Sequence, residues 1–420
     1  MDVYRFMERL HPVDEAVSLV YSVLRRLVVV EESGINESLG RYIAADIYSS
    51  QDIPPYNKSV LDGCAARSVD VGGASPESPA FLIKKGAIPV DRDIEYLLRP
   101  GECVEVATGS KLPVNADVVI PAEYISVRGN EVIVTKGFGS GYGVATRGED
   151  LKQGTNIASI GDRIDDFHIG LLATLGYSKI KVWKLPRACI FSTGDELVEP
   201  GSEKDPGKLY ASTARLVKAL LEKLGFKVEY HGLVGDSRTE VMRKFEFLLS
   251  RCPIVISTGG TSVGKKDLVI RVVKEKFSDK GFLHGIALTP GRPMGIGITS
   301  YDGKDRLILS LSGMPVAAYT EIIAVVEPAL SKVLGRNRRI FREFQGVLER
   351  KLVSRPGMTN YVRARTRIVD GKILVSPLRL TGSGILSTLL YGDSMIIVPP
   401  DVTGYNEGEI VNLLSTRLYG

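Results

Sequence analysis

The residues best suited to chemistry lie in two short loops, Ser192-Thr193-Gly194-Asp195-Glu196 and Ser257-Thr258-Gly259-Gly260-Thr261-Ser262-Val263-Gly264. Each directly follows a short, β-rich apolar run, 188–191 and 253–256, and precedes a helical pattern. In an open α/β sheet, loops at the carboxyl ends of parallel strands bind ligands, and backbone N–H groups at helix starts favour anions. Lys265, Lys266 and Asp267 stand just behind the second loop. Taken singly, each loop reads equally well as a turn with an N-cap; together they describe an anion-binding crevice. Thr289-Pro290-Gly291-Arg292-Pro293 adds a rigid turn that can project Arg292, whose planar fork of donors suits phosphate or another tetrahedral oxyanion. Leu311-Ser312-Gly313-Met314-Pro315 has the same strand-to-helix form, with Pro near the helix start.

Weaker signals lie elsewhere. Asp62 and Thr108 fall in Gly-containing turns, and Arg147-Gly148-Glu149-Asp150 is another such turn. A carboxylate set drawn from Asp62, Glu149, Asp195, Asp236 and Asp267 could hold Mg²⁺, which takes one or two carboxylates together with substrate phosphates. Arg363, Arg365 and Arg367 alternate, so in a strand they face one side. Cysteines 64, 103, 189 and 252 show no CxxC pairing, and Cys189 and Cys252 sit in apolar runs. They read as small buried hydrophobes, with neither a disulfide nor zinc expected. Four scattered histidines argue against a His-based metal site or triad.

These loops need elements to hold them. At 420 residues the chain calls for several modules. Residues 13–30 carry a helical apolar face, and a second short helix is expected around 39–47. From about 52 to 138 short β-rich runs alternate with Gly, Pro and Asn, which predicts an all-β module. Residues 185–334 alternate strand and helix, the mark of a mostly parallel sheet, and a second β module follows. Expected boundaries are 1–51 with 139–184 as a discontinuous N-terminal linking domain, 52–138 β-rich, 185–335 a doubly wound α/β domain, and 336–420 barrel-like. The apolar stretch 16–30 is broken by Arg25 and Arg26, so neither a spanning helix nor a signal peptide is expected, and the reading is cytoplasmic. The net charge of +5 is uneven: residues 331–420 hold fourteen Lys and Arg against seven Asp and Glu. No RNP, zinc-finger or helix-turn-helix signature accompanies that excess, so a small anion or a solvated surface fits better than nucleic acid.

The order of motifs resembles the MoeA and gephyrin E-domain family. Ser59-x-x-Asp62-Gly63, Thr108-Gly109, Gly148-Glu149-Asp150, Ser192 through Leu197, Gly259-Gly260-Thr261-Ser262-Val263-Gly264-x-x-Asp267, Pro290-Gly291-Arg292-Pro293 and Gly313-x-Pro315 carry the resemblance over essentially the whole chain. It implies a four-domain molybdopterin molybdenumtransferase acting as an elongated homodimer, with an active site between subunits. The implied reaction takes adenylated molybdopterin and molybdate or tungstate, inserts the metal at the dithiolene and releases AMP, with Mg²⁺ assisting. By resemblance, loops 192–196 and 259–267 hold the pterin nucleotide. Arg292, Ser312, Arg363 and Ser383 line the oxyanion pocket, and Asp62, Thr108 and Glu149 complete the site from the second subunit. Asp267 is a candidate Mg²⁺ ligand and, with Asp236, joins the catalytic set. Other cofactor-biosynthesis proteins are the partners such an enzyme would meet, with no nucleic acid or membrane.

Several positions depart from the family pattern. Met-Asp-Gly-Tyr-Ala is Leu61-Asp62-Gly63-Cys64-Ala65, Lys-Pro-Gly-Lys-Pro is Thr289-Pro290-Gly291-Arg292-Pro293, Pro-Gly-Asn-Pro is Ser312-Gly313-Met314-Pro315, and Thr213 stands where Asn is usual. They cluster at the expected oxyanion pocket and leave tungstate open as the anion. A molybdopterin adenylyltransferase and a non-catalytic gephyrin-like scaffold are the rival readings. The first carries Gly-Gly-Thr-Gly where this chain has Gly259-Gly260-Thr261-Ser262-Val263-Gly264, and the second has no need of a carboxylate-lined anion crevice.

Overall fold

A computed structural model describes residues 10–261, 268–378 and 382–417. They divide into two compact units. One holds the described residues of Met1–Ala45, Ile160–Ile169 and Ser178–Gly420, the other Asp46–Ser159 and Gly170–Tyr177.

In the first unit a six-stranded sheet has the order Lys227–Val234, Arg187–Thr193, Ile254–Thr258, Lys304–Leu311, Gly295–Tyr301, Gly281–His284. The first four strands are parallel and the last two antiparallel. Strand side chains are buried on both faces, as a parallel sheet covered by helices requires. Ala188, Ile190 and Ile256 join a core with the helices Val13–Leu27 and Thr213–Lys223, while Cys189, Phe191 and Val255 pack with Phe245 and Val272 from Arg238–Leu249 and Leu268–Lys276. The N-terminal helix buries Ala16, Val17, Val20, Val23 and Leu24, the i, i+4, i+7 face that its sequence presents. The helix after Ser312 starts with Pro315 and continues through a π-turn, Ile322–Val326, into Glu327–Val333.

The C-terminal strands close on themselves. Thr359–Val369, Lys372–Pro377, Glu343–Leu348, Ile410–Ser415 and Ser394–Val398 pair in that order, and the last pairs back with the first. Leu288–Thr289 adds in parallel to Thr359 and Asn360, so the turn bearing Arg292 is fixed to the strand bearing Arg363. The second unit is built on another six-stranded sheet, with Gly63–Ala66 between Val118–Pro121 and Glu102–Val106. Every β-rich run expected there forms a strand.

Two expectations are corrected. Residues 39–47 are not a helix: Ala44 N–H donates to Lys181, Trp183 N–H donates to Tyr42, and Ile43 bridges Val182, because the preceding strand Val29–Gly34 already pairs with Lys179–Lys184 and this segment lies beside it. Cys189 and Cys252 form a disulfide across a Cα–Cα distance of 5.9 Å. Cys189 lies in one strand and Cys252 just before its parallel neighbour, on the same face of the sheet, so two residues 63 apart in sequence meet within bridging range. Spacing alone carries no sign of it. Both remain buried among apolar side chains, and Cys64 and Cys103 are free. Among the described residues the only group with metal-ligating atoms within 4.8 Å of one another is Cys189, Glu229 and Cys252, where the two sulfurs are bonded to each other.

A disulfide closing a loop of this length restricts the unfolded chain and contributes about 2–4 kcal/mol. Reduction, or Cys252→Ala, should lower the denaturation midpoint accordingly. Thiol titration of the denatured chain should find Cys64 and Cys103 without reductant and all four cysteines with it; identical unfolding curves for the oxidised and reduced protein would refute a stabilising role.

Candidate active site

The parallel strands end level with one another, and their loops meet. Ser192 Oγ and Thr258 Oγ1 are hydrogen bonded at 2.9 Å, joining the first loop to the second. Gly259 N–H donates to the Leu311 carbonyl at 3.0 Å, joining the second to the fourth. Gly259 has φ +97°, and a Cβ there would lie 2.5 Å from the Thr193 carbonyl oxygen, so only glycine permits this approach. Thr213 Oγ1 donates to the Gly313 carbonyl at 2.6 Å, giving that departure from the family pattern a local role. At the rim, Asp195 and Asp236 are reciprocally bonded: Asp236 N–H donates to Asp195 Oδ1 at 3.0 Å, and Asp195 N–H to Asp236 Oδ2 at 3.4 Å. Among the described residues the Thr193 hydroxyl is buried with no hydrogen-bond partner. Glu196 is exposed at the end of this loop.

Beside these loops lies a cavity of about 720 Å³, a size ordinary for small-molecule sites. Its walls bring together Thr261, the Pro290–Gly291–Arg292 turn, Ser312, Arg363 and Ser383. The Thr289–Pro290 peptide is cis. Thr289 Oγ1 faces Met358 Sδ at 3.4 Å. Arg363 is 3% exposed and donates from Nε to Thr388 Oγ1 at 3.2 Å; burial lowers its pKa. Arg365 and Arg367 share its side of the strand but lie outside the cavity, Arg365 exposed and Arg367 paired with Glu349. The Ser383 carbonyl accepts from Val316 N–H at 3.0 Å, fixing that loop to the first turn of the helix after Ser312.

Beneath the cavity lies Glu321, 0% exposed. Ser312 donates its N–H to Oε2 at 2.9 Å and its hydroxyl to Oε1, and a Cβ on Gly291 would lie 2.8 Å from Glu321 Cγ. Burial pushes the Glu321 pKa up to about 8, against the opposing pull of the Ser312 hydrogen bonds. A carboxyl that stays protonated near neutrality can support an anion pocket without repelling its ligand.

In the second unit Asp62 Oδ1 accepts from Thr108 N–H at 2.7 Å and Thr108 Oγ1 at 3.1 Å, and these bonds hold its pKa below the usual carboxylate range. Glu149 Oε2 accepts from Thr146 N–H at 2.7 Å, closing its own turn. Of the site residues expected from sequence, Ser262, Gly264 and Asp267 lie outside the described residues.

Comparison with known proteins meets this geometry from end to end. The model of the MoeA N-terminal region (domain I and II) matches residues 11–176, a "probable molybdopterin binding domain" matches 189–332, and the MoeA C-terminal region (domain IV) matches 345–415. The chain belongs to the MoeA family. A protein of Methanocaldococcus jannaschii assigned provisionally to molybdopterin biosynthesis is 32% identical, with 97% of this chain and 99% of that one covered. The molybdopterin molybdenumtransferase of Staphylococcus epidermidis is 29% identical, with 94% of each covered. Among solved structures, the molybdopterin biosynthesis MoeA protein of Pyrococcus horikosii superposes with a TM-score of 0.78 at 30% identity, covering 98% of this chain and 100% of that one.

The carboxylates fit the Mg²⁺ that the MoeA resemblance implies. Asp195 and Asp236 each accept one backbone N–H, and among the described residues neither carboxylate is in an ion pair, although Lys208 Nζ donates to the Asp195 carbonyl at 2.6 Å. Each keeps oxygen lone pairs for a hydrated cation that takes its remaining ligands from phosphate. Sequence reasoning missed Glu321, which lies in an apolar helix, and Arg355, which also lines the cavity. The basic excess after residue 331 was the available signal for Arg355.

The raised pKa has a definite sign. Between about 4.5 and about 8 the native chain holds a proton on Glu321 that the unfolded chain releases, so this contribution to stability is full below the unfolded value and is lost as pH rises through the folded one. Glu321→Gln should flatten that decline: relative to wild type, its melting temperature gains between pH 5 and pH 8.5. Parallel pH profiles for the two proteins would show that Glu321 does not titrate there.

Proposed function

We propose that this MoeA-family chain is a molybdopterin molybdenumtransferase of molybdenum cofactor biosynthesis, taking adenylated molybdopterin and molybdate or tungstate and releasing AMP. The observation that carries the reading is the convergence of Arg292, Ser312, Arg363 and Ser383 on one cavity beside the loop crevice. The end-to-end family match, with N- and C-terminal regions included, favours it over an isolated adenylyltransferase.

The chemistry follows from the side chains. Cleaving a phosphoanhydride relies on positioning and on stabilising charge, and it needs no strong protein nucleophile. The 192–196 and 259–261 loops supply backbone donors and hydroxyls for the pterin nucleotide. Asp195 and Asp236 would hold Mg²⁺, and the ion would supply charge neutralisation at the phosphate oxygens. Arg292 and Arg363 draw the oxyanion into the cavity through charge-assisted hydrogen bonds, and Ser312 and Ser383 orient it. Asp62, Thr108 and Glu149 act from a second subunit of a cytoplasmic homodimer, with Thr108 holding Asp62 ionised.

The direct test incubates purified protein with adenylated molybdopterin, Mg²⁺ and each oxyanion, and reads AMP release and retained metal. Asp62→Ala should abolish most AMP release while leaving the melting temperature within a few degrees; wild-type turnover would remove Asp62 from the machinery. If the site is shared, mixing Asp62→Ala with Asp267→Ala subunits should restore part of the activity.

The oxyanion pocket makes a directional claim. Thr289→Lys adds a cation at the cavity wall and should tighten molybdate binding by on the order of 1 kcal/mol, and Arg292→Ala should weaken it by more. Titrations of molybdate and tungstate at fixed ionic strength decide the matter. Equal affinity in Arg292→Ala and wild type would leave the Pro290 turn a structural element.

A further inference from the structure

A second cavity, of about 770 Å³, lies in the same unit at the opposite edge of the α/β sheet. Its lining includes Lys227, where one strand begins, and Arg306, near the start of another, so it sits at the amino ends of the parallel strands. The MoeA crevice lies at their carboxyl ends, about 20 Å away along the seven-residue strand Arg187–Thr193.

The charge of this cavity is one-sided. Seven Lys and Arg side chains line it against two Glu. Glu31 is already shared between Arg41 and Lys184, and those two cations hold its pKa down. Among the described residues, Lys227, Arg251, Lys304 and Arg306 have no carboxylate within ion-pair distance. Arg306 is only 8% exposed, its guanidinium fixed by carbonyls: Nε donates to Leu249 at 2.8 Å and Nη1 to Asp305 at 3.1 Å. Cations gathered around a concave surface repel one another, and the field they focus draws in a multiply charged anion. Trp183 also lines this cavity.

We infer that this cavity is a binding site for a small polyphosphate anion, free or carried on a nucleoside, distinct from the oxyanion pocket. Its volume is within the usual range for ligands of that size. Recognition would come from the four cations without a carboxylate partner.

The chain contains a single tryptophan, Trp183, in the wall of this cavity, so its fluorescence is a local probe of it. The full-length protein is titrated with tripolyphosphate and, separately, with ATP at fixed ionic strength, with Trp183 emission and calorimetry as readouts. Saturable binding of tripolyphosphate is expected, and tighter binding of ATP would assign part of the recognition to the nucleoside. Lys227→Glu with Lys304→Glu should weaken binding at least tenfold while leaving AMP release unchanged. Arg292→Ala, altered in the other pocket, should bind as wild type does. No change in emission and no heat up to about 1 mM overturns the inference. So does a signal lost in Arg292→Ala but kept in the double variant, which would assign the anion to the crevice. Because AMP release is read separately, failure here leaves the transferase reading standing or falling on its own test.

Discussion

The backbone at Gly259 comes as close to its neighbours as atoms permit, and the arrangement of the crevice depends on that approach. Its amide reaches the Leu311 carbonyl, its α-carbon sits against the Thr193 carbonyl, and a Cβ on Gly313 would lie 3.4 Å from it. Three strand ends are thereby locked level. The parallel register, Ser192 opposite Thr258 and Thr258 opposite Leu311, brings them there, and the Ser192–Thr258 hydroxyl pair keeps them from sliding. Any side chain at 259 would push the second loop off the first. The crevice would then lose its common floor, so the glycine serves geometry before it serves any ligand.

From this floor the second pocket is built outward. Leu288–Thr289 leaves the α/β domain as an added strand on the closed C-terminal sheet, so the Arg292 turn and the Arg363 strand are fixed by the same two residue pairs. Glu321 holds the opposite wall through both Ser312 donors. A carboxyl buried this completely, with no cation beside it among the described residues, is most stable with its proton on, and it can therefore sit beneath the cavity without repelling an anion.

Much of this was legible in sequence because the signals are local. The alternation of apolar runs with Gly and hydroxyl residues gave the strands and their loops, and the crevice residues Ser192, Gly259, Ser312 and Arg292 announce themselves by type and place. What escaped depends on partners distant in the chain. Cys189 and Cys252 are joined by sheet register across 63 residues, and nothing in their spacing says so. Residues 39–47 have a helical pattern, but the tertiary offer of backbone partners at Lys181 and Trp183 outweighs a weak local preference. Glu321 looks like a flaw in an apolar helix until Ser312 is placed above it.

The basic excess of the chain shows the same division between local and distant causes. Arg339 is half-buried, paired with the buried Glu327 and donating to the Ile323 carbonyl, so it serves the packing of the final helix turns. Arg367 is taken by Glu349. Arg292 and Arg355, by contrast, face the cavity with no carboxylate in reach among the described residues. A folded chain gains little from leaving cations concave and unneutralised, since each neighbour of like sign raises the free energy of the others. Arg365 is left open to solvent, where water screens its charge; Arg292 and Arg355 share one concave wall, and an anion seated there would relieve their mutual repulsion.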